Sequence, residues 1–174
     1  MLTLGVRAQG LKAIKGWDRL SPFGGKTWDF SDPKDQAEAE ELVSYIDPLI
    51  THCATPCDKL SQMALHPGQK GYSKEGFAKA ESMVEFSCRI CESREKAGGG
   101  GSIENPKGSR CWKLRCVLRF FGTVAEPKPD KYFAEPELCA YDLQDPGELG
   151  LFYRKRLVLA ATYHEIQQLS LIHI

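Results

Sequence analysis

The sequence predicts an α/β fold, a mostly parallel sheet with helices on both faces, and three observations carry that prediction. Segments with strand character alternate with segments of helical period along the chain. Several strand-like segments end on polar residues, glycine or proline, as strands do where their carboxyl ends open onto a ligand crevice. With 174 residues the chain fits one ordinary domain and can bury a sizeable core.

The elements follow in order. Residues 11–18 alternate apolar and polar and finish on Gly16 and Asp18, which suits a strand. Pro22, Gly24 and Gly25 mark a loop, and residues 27–30 form a very short strand bearing Asp29. A helix then starts at Asp32, an N-cap, with Pro33 at the first helical position and acids in the early turns. It runs to about Ile46, where Asp47-Pro48 stops it. Residues 49–55 read as an apolar strand ended by Pro56, which has no N–H to give a ladder.

Residues 61–72, with Pro67, Gly68 and Gly71, read as a loop overhanging that strand's edge. From 74 to 96 the residues Phe77, Ala80, Met83, Val84, Cys88 and Cys91 recur at helical spacing. The glycines at 98–101 break the helix; they resemble a flexible linker but are flanked by helix and strand in the order a natural loop requires. Residues 102–106 are a short strand, and Ser109 caps a helix with Trp112, Cys116, Val117 and Phe120 on its apolar side. Residues 138–141 and 157–161 are two more strands, and the chain has no internal repeat.

The 23 basic and 23 acidic side chains cancel, so overall charge gives no argument for a nucleic-acid partner, although a local basic patch is compatible with it. The seven cysteines are an odd number with no secretory signal ahead of them, which points to reduced thiols and an intracellular protein. No apolar run approaches membrane-spanning length, so no membrane partner is expected.

Cys57 lies just past the proline that ends the 49–55 strand, so it is presented on a loop, whereas Cys53 suits a small core position. Polar residues end other strands as well: Asp18, Asp29 and the triplet Glu104-Asn105-Pro106, with Arg154 and Arg156 just before the last strand. Together, in this order, these residues resemble the DNA cytosine-5 methyltransferase family. Its Pro-Cys nucleophile motif with a serine four residues on is matched by Pro56, Cys57 and Ser61. Its Glu-Asn-Val motif is matched by Glu104 and Asn105, with Pro106 replacing valine. Its Gln-x-Arg-x-Arg motif is matched in part by Arg154 and Arg156, with Phe152 where glutamine belongs.

A closer resemblance is to methyltransferase-like segments of protist genomes, often near retroelement genes. These share the Thr-Pro-Cys, a glycine-rich run into Glu-Asn-Pro, a Ser-Arg-x-Trp (Ser109 to Trp112) and a late Tyr-Arg-Lys. The resemblance spans roughly residues 10–165 and implies a Rossmann-like fold of the S-adenosylmethionine-dependent type. It further implies Cys57 and Glu104 as catalytic residues supported by Arg154 and Arg156. Asp18, Asp29 and Pro56 fall on the S-adenosylmethionine side and Ser61 and Asn105 on the nucleic-acid side, with DNA or RNA as substrate and no metal.

The chemistry asks for these residue types. Cytosine C5 is a poor nucleophile until something adds at C6, and a thiolate suits that addition. A carboxylic acid must hold or protonate N3, which Glu104 would do if sufficiently buried. The base must leave the duplex to reach the pocket, and arginines steady the acid, the base carbonyl or a phosphate.

Against the family, nothing before Leu11 supplies the glycine-rich cofactor loop and nothing after about 165 supplies a target-recognition region. The expected organisation is therefore one partial domain over 1–168. Residues 169–174 read as a translated sequencing adapter. The alternative function is an inactive methyltransferase-fold module that binds nucleic acid or a protein within a mobile-element polypeptide. A zinc site from Cys53, Cys57, Cys88 and Cys91 is disfavoured, because Cys88 and Cys91 fit the apolar face of a helix. A redox Cys-x-x-Cys is disfavoured because that motif normally opens a helix.

Overall fold

The computed structural model describes Trp17 and residues 25–60, 73–136 and 156–171. The chain divides into two compact units, 1–39 and 40–174.

In the first unit Lys26 pairs with Asp35 at 2.8 Å and with Glu38 at 2.5 Å. Its ammonium lies 4.4 Å from the centre of the Trp28 ring, on which Trp17 stacks at 5.2 Å. Residues 27–29 are irregular rather than the expected strand, because Asp29 turns the chain. Its Oδ1 accepts from the Ser31 N–H at 3.1 Å and the Ser31 hydroxyl at 2.8 Å. Helix α1 (Pro33–Ile46) starts as the sequence predicts. Asp32 Oδ1 accepts from the Lys34 N–H at 2.9 Å, and the residue after the last turn, Asp47, takes a left-handed φ of 47°.

The second unit is built on a four-stranded sheet. Its strands are β1 (Ile50–Ala54), β2 (Gly100–Pro106), β3 (Tyr132–Ala134) and β4 (Leu157–Ala161), in spatial order β1-β2-β4-β3. β1 and β2 are parallel, and β4 lies antiparallel to both β2 and β3. The architecture is thus α/β with a mixed sheet, and among the described strands only one neighbouring pair is parallel. Three strands nevertheless run in one direction, since β3 and β2 both oppose β4. Being central and covered on both faces, β4 reads as the continuous apolar run Leu-Val-Leu-Ala-Ala, every residue buried.

Helix α2 (Lys74–Lys96) is the crossover between β1 and β2. The Ser73 hydroxyl caps its start by accepting from the Gly76 N–H at 3.1 Å. Its end is closed by the Gly98 N–H to the Glu95 carbonyl at 3.0 Å and the Gly99 N–H to the Arg94 carbonyl at 2.8 Å. This pairing needs a left-handed residue, and Gly98 supplies it at φ 81°. The glycine run is therefore not a linker: its first half caps α2 and its second half opens β2. A Cβ on Gly101 would stand 2.5 Å from Cys91 Cα, so only glycine lets α2 lie this close to β2.

α2 covers one sheet face, where Val84, Cys88 and Cys91 pack with Ile103 and Ala160. Full burial of a side chain such as Val84 or Ile103 contributes roughly 1.5–3 kcal/mol. Leu159, Ala161 and Ile166 pack together on the opposite face, with Tyr132 and Tyr163 against them, beside a closing 3-10 segment (His164–Leu171).

The single helix expected after Ser109 is instead two pieces, a 3-10 turn (Arg110–Lys113) and helix α3 (Arg115–Phe120). Leu114 is extended between them at ψ 142°, and its side chain is buried in the core together with Cys111 and Val117. β3 falls in a stretch for which the sequence predicts no element. The strands expected at 11–18 (Trp17 apart) and 138–141, and the loop at 61–72, lie outside the described residues.

Candidate functional site at the carboxyl ends of β1 and β2

Parallel pairing in the register Ala54↔Glu104 brings the carboxyl ends of β1 and β2 side by side. Thr55, Pro56 and Cys57 continue from the first end, and Glu104, Asn105 and Pro106 close the second. Asn105, only 1% exposed, pins them together. Its Nδ2 donates to the Thr55 carbonyl at 3.1 Å and to Thr55 Oγ1 at 2.6 Å. A carbonyl can only accept, so this contact fixes which way round the amide lies. Cys57 is half-buried on the following turn, its carbonyl accepting from the Leu60 N–H at 3.2 Å.

Because β4 runs antiparallel, its beginning falls at this same edge. Leu157 pairs with Pro106, and the Arg156 carbonyl accepts from the Lys107 N–H at 3.0 Å. The structure thus collects Cys57, Glu104, Asn105 and Arg156 along one sheet edge. Asp29 lies in the other compact unit, and Asp18, Ser61 and Arg154 lie outside the described residues.

Glu104 has a neighbour that the sequence did not suggest. Its Oε2 lies 3.4 Å from His52 Nε2, while His52 Nδ1 lies 3.0 Å from Ser102 Oγ. The Tyr163 hydroxyl donates to the same Ser102 oxygen at 3.3 Å, and burial raises the pKa of that phenol, which stays protonated. When Ser102 gives its one proton to Nδ1, the imidazole proton sits on Nε2 and faces Glu104. The chain runs Tyr163, Ser102, His52, Glu104. The order Ser-His-Glu is not a hydrolytic triad, because Ser102 is 0% exposed and no substrate reaches it. Residues 102 and 104 share a strand face by alternation, but placing His52 beside them requires the β1–β2 register, which local pattern does not give.

The other thiols among the described residues are structural. Cys88, Cys91, Cys111 and Cys116 are buried in the core cluster against which Cys53 packs. Burial foremost, then the neighbouring Cys116, pushes the Cys111 thiol up to about 12. Cys91 is raised by its hydrogen bond with Cys53 and then by burial. Among the described residues no three His, Cys, Asp or Glu side chains are grouped to hold a metal ion.

As to S-adenosylmethionine, the described residues offer Asp29 and Pro56. Asp29 Oδ1 already takes both hydrogen bonds of Ser31, so a ribose contact would have to use its other oxygen. Pro56 contributes no donor. Compared with protein-family models, curated proteins and solved structures, the chain matches none.

Proposed function

We propose that this chain carries a methyltransferase domain of the cytosine-5 type, on a Rossmann-like fold, acting on nucleic acid. One observation carries the reading: the Pro56-Cys57 turn and the Glu104-Asn105 strand end are neighbours, tied by Asn105. A thiol and a carboxyl group presented from adjacent parallel strands suit addition to an activated ring. The Cys57 thiolate adds to cytosine C6 while Glu104 holds the N3 position, so that charge does not build up on the ring. Arg156, with Arg154 beside it in sequence, steadies the carboxylate, the base carbonyl or a phosphate. Once C5 has taken the methyl group, loss of its proton to water and elimination of Cys57 as the thiolate restore the aromatic base. S-adenosylmethionine, when bound, supplies the methyl group.

The same geometry contains the observation that favours the alternative, an inactive nucleic-acid- or protein-binding module. The Glu104 carboxylate faces His52, and its side chain is 32% exposed rather than sealed. The two readings separate on incubation of the protein with labelled S-adenosylmethionine and cytosine-containing DNA or RNA. The proposal expects label at cytosine C5, lost in Cys57→Ser and in Glu104→Gln. Label that persists in Cys57→Ser, or absence of label on both nucleic acids, contradicts it.

A further inference from the structure

The chain is electrically neutral overall, yet Lys107, Arg110, Lys113, Arg115 and Arg119 follow one another with no acid between Asn105 and Ala125. All five are exposed. Two are engaged: Lys107 with the Glu135 carboxylate, and Arg119 close enough to Glu92 to lower that carboxyl's pKa together with Lys96. Among the described residues no ion pair engages Arg110, Lys113 or Arg115.

These three stand on a rigid ledge. Arg110 and Lys113 are three apart in a 3-10 turn and therefore lie on one side of it. Cys111, Leu114, Cys116 and Val117 are buried beneath, which leaves the cations outward. Arg110 is held with its guanidinium 5.2 Å from the Phe77 ring centre. The ledge is bolted to both halves of the candidate site. The Arg110 N–H donates to the Leu60 carbonyl at 2.9 Å at the end of the Cys57 turn, and Trp112 Nε1 donates to the Pro106 carbonyl at 2.9 Å at the end of β2.

We infer that Arg110, Lys113 and Arg115 form a phosphate-contacting surface for a nucleic-acid backbone, placed to hold the strand over the Cys57–Glu104 edge. The inference rests on the proposed function for its partner, not for its geometry. Three cations with no ion pair among the described residues suit, on a fixed surface, a phosphate backbone, whose contacts release counterions and position the partner without reading its sequence.

The test is duplex DNA binding by fluorescence anisotropy between 50 and 200 mM salt. The wild type is compared with Arg110→Ala/Lys113→Ala/Arg115→Ala and with a Lys79→Ala/Lys96→Ala control. The control removes two cations that pair with acids of their own helix, at 2.9 Å each. Loss of three phosphate contacts lowers affinity on the order of 10²-fold near physiological salt and flattens the log–log salt slope by about 2.7. The control changes neither. An unaltered affinity and slope in the triple variant overturns the inference, and so does a wild type that fails to bind duplex DNA at 50 mM salt. Methyl transfer separates the two claims. DNA binding through the ledge without transfer retains the surface and removes the enzyme; transfer that ignores the triple variant does the reverse.

Discussion

Replacing Gly101 by alanine tests how α2 is seated on the sheet. The added Cβ would lie 2.5 Å from Cys91 Cα, 2.7 Å from its Cβ and 2.8 Å from its Sγ. Carbon atoms in contact prefer about 3.5–4.0 Å, so the helix has to withdraw by roughly 1 Å. Two of the three atoms are fixed parts of the helix, and no rotamer change relieves them. Withdrawal loosens the packing of Val84, Cys88 and Cys91 against Ile103, so the cost falls at the upper end of the overpacking range, about 3 kcal/mol. With a urea m-value of about 2 kcal/mol/M, the unfolding midpoint drops by about 1.5 M. Two other glycines calibrate the series. Gly108→Ala meets nothing within 4 Å and should leave the midpoint in place. Gly98→Ala has equal room but sits at φ 81°, which costs about 1–2 kcal/mol. If Gly101→Ala is as stable as Gly108→Ala, the helix does not rest on this glycine and the run is a linker after all.

Other consequences concern the site and the thiols. Asn105→Ala removes two hydrogen bonds and strands the Thr55 carbonyl, lowering stability by about 2–3 kcal/mol in chemical denaturation; an unchanged midpoint would show that the two strand ends are not pinned there. Nitrogen NMR of the His52 ring in its neutral form should find the proton on Nε2, with that preference lost in Ser102→Ala; an Nδ1 proton would contradict the donor order. Cys111 also makes stability fall in alkali. Its folded pKa, about 12, lies above the unfolded value, so its contribution is complete below pH ~8.5 and is lost as pH climbs toward 12. The slope from this one thiol is about 1.4 kcal/mol per pH unit above ~9, and Cys111→Ala should flatten the urea midpoint measured from pH 8 to 10.

Local chemistry made much of the fold legible. Asp32-Pro33, the helical period from Phe77 to Cys91 and the apolar run at 157–161 each declared an element through its own residues. The errors are non-local. Short β3 has no strong pattern of its own and exists through its pairing with β4, and the direction of β4 is invisible in its sequence. Leu114 broke the expected helix because its side chain is anchored in the core. Gly100 and Gly101, expected in the loop, belong to β2, because the close face of α2 requires glycine there. The two strand ends bearing Cys57 and Glu104 were readable from their punctuation. His52, Ser102 and Tyr163 were not, since their meeting depends on register across three segments.

The central claim is that Cys57 attacks a cytosine ring held beside Glu104, and covalent capture tests it most directly. DNA in which 5-fluorocytosine replaces cytosine is incubated with the protein and S-adenosylmethionine, and the digested adduct is mapped by mass spectrometry. Fluorine at C5 cannot leave as a proton does, so the thioether that Cys57 forms persists. The account predicts an adduct on the peptide carrying Cys57, absent in Cys57→Ser and diminished in Glu104→Gln. Capture on another residue, undiminished capture in Cys57→Ser, or no capture by the wild type contradicts it.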